Sequence, residues 1–209
     1  MPEPSVKRAI AFIDGQNLYH SVREAFGYTY PNYDVLAISK AICASQGWDL
    51  GDVYFYTGVP DASDNQNWHD FWMRKLAVMG RHGIHLYSRS LGYRNKVVRL
   101  PDGTEATYLS GEEKGIDVRI AIDLIRLAHR RAYDVALVFS QDQDLSEVAD
   151  EIRVISTEQK RWIKMACAFP FSPTSRKKRG ITRTDWIRID KQTYDPCIDR
   201  RDYRTSSPK

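Results

Sequence analysis

The chain has 209 residues, of which 42% are hydrophobic and 28% charged, with a formal net charge of +4. That is ordinary globular composition, and it is long enough for one domain with a substantial core. No apolar run reaches the roughly 18 residues of a membrane span. MPEPSVKR does not resemble a signal peptide, and Cys43, Cys167 and Cys197 show neither zinc nor disulfide spacing. A reducing cytoplasm is the expected compartment and no membrane partner is expected.

The pattern alternates between short apolar runs and helical periodicity. Arg8–Ile13 predicts a buried strand, and Leu18–Phe26 and Asp34–Gln46 predict helices. Val53–Thr57 predicts a strand, Asn65–Met79 an amphipathic helix and Ile84–Ser88 another strand. Lys96–Leu100 and Glu105–Leu109, joined through Pro-Asp-Gly, predict an inserted β-hairpin. Arg94, Lys96 and Arg99 make it basic, which suits either a substrate clamp or a solvated ribbon. Ile116–Arg130 and Leu145–Gln159 predict helices, and Val135–Ser140, Trp162–Phe169 and Ile187–Ile189 predict strands. Strands alternating with helices imply βαβ units around a mostly parallel sheet. The expected domain spans residues 1–190, followed by a basic tail at 191–209. From Phe171 to Lys209, 11 Lys/Arg stand against 5 Asp/Glu, giving +6 and leaving −2 on the rest. Such asymmetry suits an anionic partner or a solvated terminus.

Ligands of open parallel sheets bind beyond the carboxyl ends of the strands. Asp14 ends the first strand in FIDGQN, and Ser140, Asp142 and Asp144 follow Val135–Phe139 in SQDQD. Each has a plain alternative. Asp14 could be a turn residue, Asn17 the N-cap of the next helix, and Asp144 the cap of Leu145–Gln159. Asp142 has no evident capping role. Asp117 lies in the first turn of its helix, in line with Ala121, Leu124 and Ala128, so it heads an apolar stripe. Asp123 lies near Arg119 and Arg126, where an exposed salt bridge is expected. Two carboxylates about 4 Å apart repel by roughly 4 kcal/mol at an effective dielectric near 20. Four converging would therefore call for a cation, and oxygen-only ligands suit Mg²⁺ or Mn²⁺. No Walker loop, HExxH or GxSxG is present.

FIDGQN, EKGIDVRIAIDLI and YDVALVFSQDQDLSEVADEI together resemble the NYN domain family, a branch of the PIN-like nucleases. The resemblance runs from about Arg8 to Ile189. It implies a Rossmann-like three-layer α/β/α sandwich and a metal-dependent nuclease, an endoribonuclease hydrolysing RNA phosphodiester bonds, with DNA left open as a substrate. Its acidic, metal-holding site would be Asp14, Asp117, Asp142 and Asp144, flanked by Asn17, Lys114 and Ser140. The family's common Ser-Gly-Asp is here Ser-Gln-Asp, so Gln141 would narrow the pocket or read substrate. Asp185 resembles an acidic residue near the family's last strand and would be either a further acidic contributor or a strand-end residue. In SPTSRKKRG, Arg176 and Lys177, with Lys178 and Arg179, would contact phosphates. Tyr28, Tyr30 and Tyr33 would stack on bases or pack a loop. Two other readings stay open: an RNA-binding or regulatory module with little or no catalysis, and a nucleotide-sugar enzyme using Asp142-Gln143-Asp144. The latter explains neither Asp14 nor Asp117. A homodimer through exposed apolar surface also stays open.

Overall fold

A computed structural model describes residues 1–204. Its centre is a six-stranded sheet in the order β3-β2-β1-β6-β7-β8, and every pairing in it is parallel. The strands are β1 (Arg8–Asp14), β2 (Asp49–Val59), β3 (His85–Ser90), β6 (Val135–Phe139), β7 (Lys164–Pro170) and β8 (Asp185–Ile189). β4 (Gly92–Arg99) and β5 (Glu105–Glu112) form the expected hairpin as a separate antiparallel ribbon. With the hairpin set aside, the order is 3-2-1-4-5-6, that of a doubly wound Rossmann sheet.

Alternate residues of β1 enter opposite cores. Ala9, Ala11 and Ile13 pack with α1 (Gly15–Phe26), α2 (Val35–Gln46) and α3 (Ala62–Arg81). Ile10 and Phe12 pack with α4 (Ile116–His129) and α5 (Ser146–Glu158). Helices on both faces are what turn short, wholly apolar strands into a stable sheet. β6 shows it directly, since all five of its residues are buried.

Two helices start earlier than their apolar periodicity suggests, because an aspartate caps each. Asp14 caps α1 by accepting from Asn17 N, and Asp61 caps α3 by accepting from Ser63 N. Residues 191–204, expected as a tail, lie against the body. Helix α6 (Lys191–Tyr194) is followed by a 3-10 turn, Ile198 bridges to Tyr33, and Tyr203 is buried. Residues 205–209 of that expectation lie outside the described residues. No helix among the described residues is long and apolar enough to cross a membrane.

Candidate active site

β1 and β6 are neighbours, and their last register pair is Ile13 with Phe139. The next residues along, Asp14 and Ser140, therefore face each other where the strand order reverses. Ser140 Oγ donates to Asp14 Oδ2 at 3.3 Å and accepts from Asp142 N at 3.1 Å. Asp14 Oδ1 accepts from Asn17 N at 2.9 Å. The turn after Asp14 needs glycine, because a Cβ on Gly15 would sit 2.6 Å from Phe55 Cζ and 2.9 Å from the Tyr56 carbonyl. Asp14 is thus both a helix cap and a buried carboxylate at a strand tip.

Asn17 is not a cap. It lies inside α1, and its Oδ1 accepts from Gln141 N at 3.0 Å, tying the first helix to the β6 turn. Asp142 does have a capping role, since it accepts from Asp144 N at 3.0 Å and opens a 3-10 turn over Gln143–Leu145. Asp144 is exposed at the rim and does not cap α5. Gln141 is buried, and all its amide bonds go to protein. Its Nε2 donates to the carbonyls of Arg179 (2.9 Å) and Lys177 (3.4 Å), and its Oε1 accepts from Ser21 (3.0 Å). The residue that departs from the family's glycine thus fastens the basic loop. Gln143 does the same through the Gly180 carbonyl and Thr182. Glu24 holds the other side, accepting from the backbone N–H of Arg176 and of Lys177. As a result Arg176–Arg179 wall a cleft of about 710 Å³ whose opposite side is Asn17, Gln141 and Asp142.

Asp117 comes from the start of α4, whose chain entry is set by Gly115 at φ 70°. It is half-buried, and it acts electrostatically on Asp14 together with Asp142. Sequence reasoning passed over Glu113, which is also here. Its Oε1 accepts from Gly58 N at the end of β2, and Asp14 and Asp117 are its acidic neighbours. Periodicity offered no signal for it, since it sits in the non-helical approach to α4. Lys114 is exposed and lies along Gly92 at the base of the hairpin. Asp185 is elsewhere: it opens β8 at the amino ends of the strands and pairs with Lys164 at 2.6 Å. Asp123 pairs with Arg119 and Arg126 as expected, yet it is buried under the Tyr56 hydroxyl rather than exposed. Tyr33 packs in the core and Tyr28 lies against Tyr194, whereas Tyr30 stays exposed.

The charges here are poorly compensated. Burial pushes the Asp14 carboxyl up to about 6; the charges of Asp142 and Asp117 add to the shift, and the bonds from Asn17 and Ser140 oppose it. Burial, joined by Asp14 and Asp117, pushes Glu113 up to about 7. The donor chemistry is all oxygen, as Mg²⁺ and Mn²⁺ prefer. Among the described residues, no group of three or more His, Cys, Asp or Glu is gathered tightly enough to hold a metal ion. A Mg²⁺-type ion needs only one or two carboxylates and keeps its remaining waters; Asp14 and Asp142 are the residues that would supply them.

A family model described as NYN domain matches residues 8–171. The chain belongs to the NYN domain family. That family has a PIN-like, nuclease-type α/β/α fold and is generally nuclease-like. The NYN chain is also similar to a solved structure from Vibrio parahaemolyticus, VPA0982, a protein of unknown function. The two share 19% identity over 93% of this chain and 99% of that one, with a TM-score of 0.54. At that identity the likeness shows the fold alone. MurG from Acinetobacter baumannii (10% identity, TM-score 0.33, 87% of this chain and 45% of that one) shares too little for argument. No curated protein matches the NYN chain.

Proposed function

We propose that this NYN protein is a divalent-metal-dependent ribonuclease that hydrolyses RNA phosphodiester bonds internally. The observation that carries the reading is a buried Asp14 at the reversal point of the sheet, with Asp142 and Asp117 near enough to act on its charge and Asp142 lining one cleft with Arg176–Arg179. Asp14 and Asp142 would hold Mg²⁺ or Mn²⁺, with Asp117 beside them and Asp144 at the rim. When bound, the ion would neutralise charge on the phosphoryl oxygens and acidify an attacking water. The chain's own residues supply the rest. Ser140 holds Asp14 and the Asp142 backbone in place. Asn17, whose carbonyl oxygen is used by Gln141, keeps its amide N–H groups as donors for a phosphate oxygen. Arg176, Lys177, Lys178 and Arg179 attract the strand, and Gln141 keeps that wall close to the acids. Lys114 at the hairpin base adds a further cation on the approach.

The test is cleavage of an internally labelled RNA in Mn²⁺ by wild type and Asp142→Asn. Wild type cutting and the variant falling to background supports the reading; equal residual activity in both overturns it. A second reading is an RNA-binding NYN module without turnover; among the described residues no three His, Cys, Asp or Glu side chains form a preassembled metal cluster, which suits it. Salt-sensitive binding with no cutting by wild type would select it.

A further inference from the structure

A second cleft, of about 640 Å³, opens beside the Asn67–Lys75 stretch of α3, between the Thr29–Asn32 loop and residues 198–204. Its volume lies within the roughly 300–1,000 Å³ range of clefts that take a small ligand. Its walls combine aromatic faces with cations. Tyr30 is 47% exposed and Trp68 is half-buried, propped edge-on by Phe71 at 5.1 Å between ring centroids. Lys75, Arg200, Arg201 and Arg204 stand against Asp199 and Asp202, a balance of +2 among the lining residues. The arginine at the rim is already oriented, because the Arg204 guanidinium binds both oxygens of Asp202 at 2.8 Å.

The cleft adjoins a smaller hollow on the side of the Asp14 turn. Pro31 and Trp68 line the cleft, and both also line that hollow, of about 170 Å³, with Gln16 and Gly58. Gln16 follows the Asp14–Gly15 turn, and Gly58 is the residue whose N–H holds Glu113. His20 also lines that hollow, and burial first, then the charges of Arg23 and Lys177, hold its imidazole below the usual range. The cleft and the hollow therefore share a wall at Pro31 and Trp68, and the hollow reaches Gln16 and Gly58, the neighbours of the Asp14 turn and of Glu113.

We propose that the cleft around Tyr30, Trp68 and Arg200 is a subsite for single-stranded nucleic acid, taking a base and its phosphate from the strand that leaves the acidic site. The chemistry selects this occupant. Open aromatic faces stack on bases only where those bases are unpaired, and arginines beside them meet the backbone. A duplex keeps its base faces buried and cannot enter. The proposal deepens the nuclease reading and rests on it for the strand's direction, but its test does not depend on cleavage.

The probe is a fluorescein-labelled 12-nucleotide single-stranded RNA, with a DNA strand of the same sequence and the corresponding RNA duplex, in EDTA, read by anisotropy. Tyr30→Ala weakens single-strand binding by at least about fivefold and Tyr30→Phe retains it, as expected for stacking. Arg200→Gln lowers the slope of log affinity against log salt by about one. Both losses appear with RNA and DNA single strands and are absent with the duplex. Because Tyr30 and Arg200 are exposed, circular dichroism of both variants matches wild type. Wild-type affinity in both variants, or an equal loss with the duplex, overturns the proposal. If Asp142→Asn abolishes cutting while these variants bind normally, the nuclease stands and the subsite falls. If wild type never cuts while Tyr30→Ala loses affinity, the reverse holds.

Discussion

Asp14 and Asp134 sit at opposite ends of the same strand pair and are equally buried, each 8% exposed. Their surroundings differ completely. Asp134, just before β6, takes the Arg8 backbone N–H and Nε at 3.0 Å and Arg161 Nη1 at 3.0 Å. These partners hold its carboxyl below the ordinary 3.8 despite the opposing effect of burial. Asp14, the last residue of β1 at its other end, has two neutral donors and other carboxylates for company, and is pushed up to about 6. Desolvation raises both carboxyls; at Asp134 the arginine partners reverse its effect, whereas at Asp14 nothing of opposite charge opposes it and Asp142 and Asp117 add to it. One end of the sheet is closed by a compensated ion network. The other is left with negative charge that only an added cation or proton can relieve.

That contrast is broken first by exchanging charge for an isosteric amide. Asp14→Asn lowers Mn²⁺-dependent RNA cleavage by at least about a hundredfold. Asparagine still caps α1, so the thermal midpoint of the metal-free protein does not fall. Asp134→Asn gives the opposite pair of results: about 2–4 kcal/mol of stability is lost in urea unfolding because Arg8 and Arg161 lose their partner, while cleavage per folded molecule is unchanged. The sign of the pH dependence follows from the depressed Asp134 carboxyl. Its stabilisation is fully present above the unfolded value of 3.8 and is lost as pH falls through its lower folded value. The wild-type advantage over Asp134→Asn therefore closes only below about pH 4.

A smaller effect is expected between these ends, where Gln141 fastens the basic wall. Gln141→Gly, which brings in the glycine common in the family, removes three side-chain bonds and costs about 1–2 kcal/mol. Trypsin then cuts at Arg176–Arg179 faster than in wild type. The smallest effect comes from the wall itself. Lys177→Gln reduces the salt slope of RNA binding by about one, uniformly across sequences.

Much of this was legible along the chain. The switch between strand and helix periodicity marks every main element, because burial on two faces leaves an unbroken apolar run and burial on one leaves a stripe. Boundaries slipped where capping, a matter of one side chain, outweighed periodicity, as at Asp14 and Asp61. The hairpin was legible from Pro-Asp-Gly, whose Gly103 takes φ 86°. Asp185 proved to be a strand-end residue and not a further acid of the site, since a carboxylate near a strand does not say which end of the strand it occupies. Gln141 looked like a substrate-reading residue because nothing local shows that the Lys177 and Arg179 carbonyls sit above it.

By itself, then, the sequence determined that this is an alternating α/β chain with acids at its strand and helix ends, since propensity and periodicity are local. Only the tertiary structure decided which acids meet. Ser140 reaches Asp14 across 126 residues because β6 inserts beside β1. Glu113 joins them because a single N–H at the end of β2 is there to receive it. Such encounters are set by strand order and chain crossing, which no local pattern encodes.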